Sequence, residues 1–187
     1  LLNTPVLAAD LTGTLKTIKE TGVIKLGFLP QSVPFSFADA GGKPLGYSPD
    51  LCLRAATGIQ EQLGLQKLDV QWVPVTLETR FDAVKTGAID LECGITTNTL
   101  SRQKDVDFSL MTWVDGANFV VRDSSPYKTL SDLAGKRIAV IPNTTTVGAL
   151  KQALEKGYIS AEIVLVHSHL EGLEGINKGA IDAYASD

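Results

Sequence analysis

Helix-like and strand-like stretches alternate along this chain, and glycine ends the helices. An amphipathic stretch over residues 15–21 stops at Gly22 and leads into the strand pattern VIKLGFL. A helix opened by Ser48, Pro49 and Asp50 carries Leu51, Ala55, Ala56, Ile59 and Leu63 at helical spacing, stops at Gly64 and is followed by LDVQWVPV. A third, over about residues 77–86, stops at Gly87 ahead of AIDLECG. Such a rhythm buries its apolar faces most simply by packing helices on largely parallel sheets, so an α/β fold is expected. Ser48 reads as an N-cap, with Pro49 at the first helical position and Asp50 favoured by the positive end of the helix dipole. The stretch PQSVPFSFADAGGKPLGY reads as a loop dense in Pro and Gly. Aromatic Phe35 and Phe37 inside it serve either as a site wall or as an internal staple.

The second half repeats the rhythm: GANFVVR as a strand, TLSDLAGK as a turn with a short helix, RIAVI as a buried strand, and TTTVGALKQALEK as a helix entered through threonines. AEIVLV, a helix over about residues 169–178, and AIDAYASD complete it. With no low-complexity linker between the halves, two small lobes fit better than one continuous sheet. The expected division is a first lobe over 1–110, a hinge strand over 111–118 and a second lobe over 119–187. The chain closes on YASD, placing Asp187 at the carboxyl end of a strand, where open α/β folds put ligands. Nothing follows to cover that end, and a longer parent chain is expected.

Composition narrows the partner classes. Lys plus Arg number 17 against 21 Asp plus Glu, a formal net charge of −4, and no basic block marks a nucleic-acid surface. No apolar run approaches the roughly 18 residues that cross a bilayer. The opening LLNTPVLAADL resembles the tail of a secretory leader ending at Ala8 and Ala9, or else a loose end or a short first strand. Two cysteines, Cys52 and Cys93, read either as buried thiols or, in an oxidising compartment, as a pair.

Catalytic signatures are thin. The nucleophile elbow, the P-loop and the dinucleotide fingerprint are all absent. His167 and His169 have no metal-spaced partner, so no metal site is expected. Anion chemistry is better supplied. Arg102 follows Thr96, Thr97, Thr99 and Ser101 just past a strand end, and a guanidinium grips a carboxylate through two parallel charge-assisted hydrogen bonds. Thr144, Thr145 and Thr146 stand at a helix start, where free N–H groups and the dipole favour negative charge. Taken singly, the threonines are ordinary caps and the arginine a solvated one; their recurrence in both halves is what joins them. Asp187 supplies the opposite sign. Arginine for a carboxylate, aspartate for an ammonium and hydroxyls between describe a receptor for a zwitterion, of which a free amino acid is the simplest.

At this point the motifs resemble a known family. VIKLGF with VPFSF, GYSPDL, AVKTGAIDLECGITTNTLSRQKDVDFS, TLSDLAGKRIAVIPNTTT and INKGAIDAYASD follow, in order, the pattern of the family 3 extracellular solute-binding proteins, the periplasmic amino-acid-binding proteins of ABC importers. The wording is most similar to the glutamate/aspartate-binding branch. The resemblance implies a two-lobe, type II periplasmic-binding-protein-like fold with the ligand in a cleft between hinged lobes. It implies that Arg102 holds the ligand α-carboxylate with Thr97 beside it, and that backbone around Gly94 and Ile95 bonds the α-groups. Thr144 and Thr145 are the implied second-lobe anion contacts, Asp187 the acid for the ammonium, and Phe35 the aromatic packed on the ligand. Arg80 and His169 match residues that hold a side-chain carboxylate in the acidic branch.

Two positions depart from that branch. Leu29 stands where an arginine is expected and Ile95 where a hydroxyl is, so a polar side chain is as good a candidate as an acidic one. The implied partners are a free amino acid and a membrane permease, with no cofactor and no nucleic acid, for a monomer working in the periplasm. Two other readings share the architecture: the sensor domain of a membrane receptor, and an enzyme like the cyclohexadienyl dehydratases, for which Glu92 or Glu78 would be the general acid.

Overall fold

The protein is described here by a computed structural model over residues 11–187. The leader-like stretch with Ala8 and Ala9 lies outside the described residues. Contacts gather the chain into two compact units, one ending at Ile95 and the other spanning Thr96–Asp187.

The first unit runs α1 (Gly13–Thr21), β1 (Val23–Phe28), β2 (Gln31–Ser32), β3 (Ser36–Ala38), β4 (Pro44–Leu45), α2 (Tyr47–Leu63), β5 (Asp69–Pro74), α3 (Arg80–Lys85) and β6 (Leu91–Cys93). Strands β5, β1 and β6 form a parallel sheet in that order, with Leu26 opposite both Trp72 and Leu91. Ile18, Ile24, Leu26, Cys52, Ala56, Leu63 and Cys93 make its core, each fully buried aliphatic side chain contributing about 1.5–3 kcal/mol. Helix α1 ends at Gly22, whose left-handed backbone lets its N–H donate to the Ile18 carbonyl at 2.8 Å.

Three local expectations are corrected. The Pro- and Gly-dense loop holds a small antiparallel sheet, β2-β3-β4, pinned by the buried Ser36 hydroxyl, which accepts from the Leu29 N–H at 2.9 Å. Helix α2 is capped at Gly46 rather than Ser48. Gly46 has φ 119°, and a Cβ there would sit 2.6 Å from the Phe35 carbonyl oxygen, so the chain enters the helix at a position only glycine fits. Helix α3 starts at Arg80 rather than near residue 77, because the hydroxyls of Thr76 and Thr79 tie residues 76–79 into a turn.

The second unit carries β7 (Asn118–Val121), β8 (Arg137–Val140), α4 (Thr145–Lys156), β9 (Glu162–Leu165), α5 (His169–Lys178) and β10 (Ala183–Ser186). Its sheet order is β7-β10-β8-β9, parallel except for β7 against β10. Leu133, Ile138, Val140, Leu150, Leu154, Ala183 and Ala185 form the core.

The two units share a device written twice as Gly-Ala-Ile-Asp. In the first, Ile89 is buried and the Asp90 carboxylate accepts from the Lys25 N–H at 2.8 Å; in the second, Ile181 is buried and Asp182 accepts from the Arg137 N–H at 2.9 Å. Each aspartate thus satisfies the backbone of its unit's central strand where the ladder begins.

Candidate functional site

Within each unit, several of the candidate residues follow the end of a parallel strand. In the first unit β6 finishes at Cys93, and Gly94 follows. Its carbonyl accepts the Ser48 hydroxyl at 2.7 Å, and Cys52, one turn further along α2, is joined to Cys93 by a disulfide with Cα atoms 6.1 Å apart. The cysteines are therefore a pair, a state that belongs to oxidising compartments. Gly94 is closely fenced, because a Cβ there would overlap the Glu92 carboxylate and lie 2.9 Å from Leu29 Cδ1.

Leu29 is 4% exposed and packs with Val75 and Ile89, with Ile95 against the same cluster. The two positions that depart from the acidic-ligand pattern are thus one apolar group. Arg80, at the start of α3, is the one charged side chain buried among the described residues, at 3% exposure, its guanidinium 5.1 Å from the centre of the Phe81 ring. Phe35 meets Tyr47 edge to face with ring centres 6.1 Å apart.

In the second unit the polar candidates form one linked row. Arg102 Nη1 donates to the Thr97 carbonyl at 2.8 Å and Nη2 to the Asn143 carbonyl at 3.3 Å. Asn143, with φ 62°, turns the chain from the end of β8 into α4, and asparagine is among the few side chains that tolerate that conformation. The Thr97 hydroxyl lies 3.4 Å from that of Thr145, the first residue of α4. Next along, the buried Thr146 hydroxyl donates to the Asp187 carboxylate at 3.2 Å. Thr144 is the N-cap of α4 but makes no side-chain cap; its hydroxyl donates back to the Ile141 carbonyl at 2.7 Å. The first N–H groups of α4 accordingly receive no hydroxyl from their cap, which leaves a positive helix end beside the row.

His169 opens α5, and its Nδ1 lies 2.8 Å from the hydroxyl of Tyr184 on β10. Burial pushes the His169 pKa down, opposed by the nearby Asp187 carboxylate. Burial pushes the Tyr184 phenol up. Tyr184 and the Asn143 carbonyl were not singled out from the sequence. They carry no local signature, since their partners lie 15 to 41 residues away. His167 is exposed, and among the described residues no group of three metal-ligating side chains gathers.

The row can hold both signs of charge within one unit: a guanidinium at one end, hydroxyls and a helix N-terminus in the middle, a carboxylate at the other. The sequence profile of the bacterial extracellular solute-binding proteins, family 3, matches residues 24–186. The chain belongs to that family. An L-glutamate/L-aspartate-binding protein of Pseudomonas aeruginosa is 38% identical over the whole chain. A glutamate/aspartate import solute-binding protein of Escherichia coli K12 is 30% identical over 93% of it. The glutamate/glutamine/aspartate/asparagine-binding protein BztA of Rhodobacter capsulatus is 30% identical over 97%. The chain spans 62%, 58% and 53% of these relatives' lengths. Among solved structures of the fold, the ancestral amino acid-binding protein AncCDT-1, a precursor of cyclohexadienyl dehydratase, superposes with a TM-score of 0.82 at 28% identity, covering 94% of this chain and 75% of that one. The arginine-bound form of truncated ArgBP from T. maritima gives 0.76 at 28% identity, covering 92% and 76%. The family's members are extracellular solute binders, and no described helix of this chain is long and apolar enough to cross a membrane.

Proposed function

We propose that the protein captures an L-amino acid with an acidic or polar side chain in the periplasm, and delivers it to the membrane permease of an ABC importer, acting as a monomer. The observation that carries this reading is the row Arg102, Thr97, Thr145, Thr146, Asp187, which sets a carboxylate grip and an ammonium acceptor on one hydrogen-bonded frame. Arg102 and Thr97 take the α-carboxylate, the α4 N-terminus with Thr144 and Thr145 completes its hydrogen bonds, and Asp187 takes the ammonium. Phe35, Arg80, Gly94, Ile95 and His169 as further ligand contacts, and residues 111–118 as a hinge, belong to the same proposal. Three relatives that bind glutamate, aspartate or their amides support the side-chain class.

Calorimetry of the full-length protein against the twenty L-amino acids is the test. Saturable binding of at least one is expected, weakened at least about 100-fold by Arg102→Ala, because two charge-assisted hydrogen bonds are lost. No heat with any of the twenty overturns the proposal.

A further inference from the structure

Ser48 stands where three segments of the first unit meet. The first N–H groups of α2 are taken by the loop before it: the Tyr47 N–H donates to the Pro34 carbonyl at 3.3 Å and the Ser48 N–H to the Phe35 carbonyl at 2.8 Å. With those donors satisfied by backbone, the Ser48 hydroxyl is not drawn into capping the helix. It donates instead to the Gly94 carbonyl at 2.7 Å, 46 residues away. The direction of that bond is fixed, because a carbonyl oxygen can only accept. One residue thus holds Phe35 through its N–H and Gly94 through its hydroxyl. One turn further along α2, Cys52 is bonded to Cys93, so the helix and the strand end are joined at two neighbouring points.

Gly94 needs such a hold. A side chain is excluded there, since a Cβ would overlap the Glu92 carboxylate and come within 2.9 Å of Leu29 Cδ1, and a residue without Cβ has the widest backbone freedom. Strand β6 ends at Cys93, so the sheet no longer restrains the residue after it. The disulfide fixes where Cys93 lies but leaves the next peptide free to turn. The peptide joining Gly94 to Ile95 is planar and trans, so holding its carbonyl toward α2 sets the Ile95 N–H on the opposite side. The Ile95 side chain meanwhile packs with Leu29, Val75 and Ile89. We propose that Ser48 is a positioning residue for ligand binding, whose two hydrogen bonds set the Gly94–Ile95 peptide and the Phe35 loop before the ligand arrives. The backbone there is assigned to the α-groups, which every L-amino acid shares. Loss of the hydroxyl therefore weakens different amino acids by one factor, whereas a residue in a side-chain pocket would change the ratio between them.

The inference rests on the proposed amino-acid function, and two measurements on the full-length protein keep their failures apart. Carbon-13 NMR of the ligand-free protein reads the hydrogen bond directly: Ser48→Ala is expected to move the Gly94 carbonyl resonance upfield, as an acceptor loses its donor, and Ser48→Thr to restore it. An unmoved Gly94 resonance in Ser48→Ala overturns the assignment whether or not any amino acid binds. Calorimetry with L-glutamate and L-glutamine then tests the consequence. Ser48→Ala is expected to weaken both by about 3- to 10-fold, the effect of one hydrogen bond, with the ratio of the two affinities unchanged. Ser48→Thr, which keeps the hydroxyl, is expected to bind like the parent protein. Full affinity in Ser48→Ala, an equal loss in Ser48→Thr, or a loss confined to one of the two amino acids overturns the proposal. Silence of the parent protein with both overturns the ligand role while the carbonyl result stands, and it is then the parent rather than the variant that fails.

Discussion

The Cys52–Cys93 disulfide closes a loop with a sequence separation of 41 and ties the second turn of α2 to the last residue of β6. Treated as a constraint on the unfolded chain, a loop of that length is worth about 4 kcal/mol at 25 °C. Both sulfur-bearing residues are core members, 7% and 1% exposed, so reduction also leaves two thiols in a packed interior. That figure is a large share of the 5–15 kcal/mol typical of a whole domain. With a urea slope of about 2 kcal/mol/M for a unit of this size, the midpoint should fall by about 2 M on reduction. The probe is Trp72, which packs against the first-unit core and lies edge to face with Phe28 at 6.0 Å. The other tryptophan, Trp113, lies outside that unit and is replaced by phenylalanine so that emission reports the first unit alone. Urea titrations with and without a phosphine reductant, with thiol counting to prove reduction, complete the assay. A midpoint shift below about 0.3 M in fully reduced protein refutes the reasoning, because the crosslink would then not be restricting the unfolded ensemble.

Two further outcomes follow from packing and charge. Gly27, on the central strand β1, has no room for a methyl, since a Cβ would overlap Ile89 Cδ1; Gly27→Ala should cost about 1–3 kcal/mol in urea unfolding. The double variant with Ile89→Val, which removes that carbon, should recover part of the loss, and strict additivity would exclude the clash as the cause. Asp182 is held below the usual carboxylate range by the Arg137 side chain, whose Nε and Nη2 lie 3.1 and 3.2 Å from its oxygens, and by the Arg137 N–H. A depressed carboxylate stabilises the fold above its unfolded pKa of about 3.9 and loses that contribution as pH falls through the lower folded value. The stability gap between the parent protein and Asp182→Asn, followed by circular dichroism, should therefore be constant from pH 7 to 5 and shrink between about pH 4 and 2. A gap that widens there contradicts the pairing.

The order of strands and helices was legible because its signals are local. Gly22, Gly64, Gly87 and Gly179 each end a helical run in or near the left-handed conformation that other residues avoid, and the apolar spacing of Leu51 to Leu63 names the buried face of α2 from the sequence alone. Arg102, Thr97, Thr145 and Asp187 could likewise be singled out, because a guanidinium and hydroxyls after strand ends, and a carboxylate at the close of another, are visible as residue types. What could not be read is where competing hydrogen bonds go. Ser48 has the sequence of a cap, yet its hydroxyl reaches Gly94 across 46 residues. Cys52 and Cys93 could be thiols or a pair until α2 and β6 were set side by side. The partnership of His169 with Tyr184 exists because Gly172 lets a helix and a strand approach to contact. Local conformational preference acts within a turn or two of chain, and so sequence alone decided the elements. Hydrogen-bond partners, the disulfide and the row of polar groups depend on packing between segments far apart in the chain, which only the tertiary structure brings to within 3 or 4 Å.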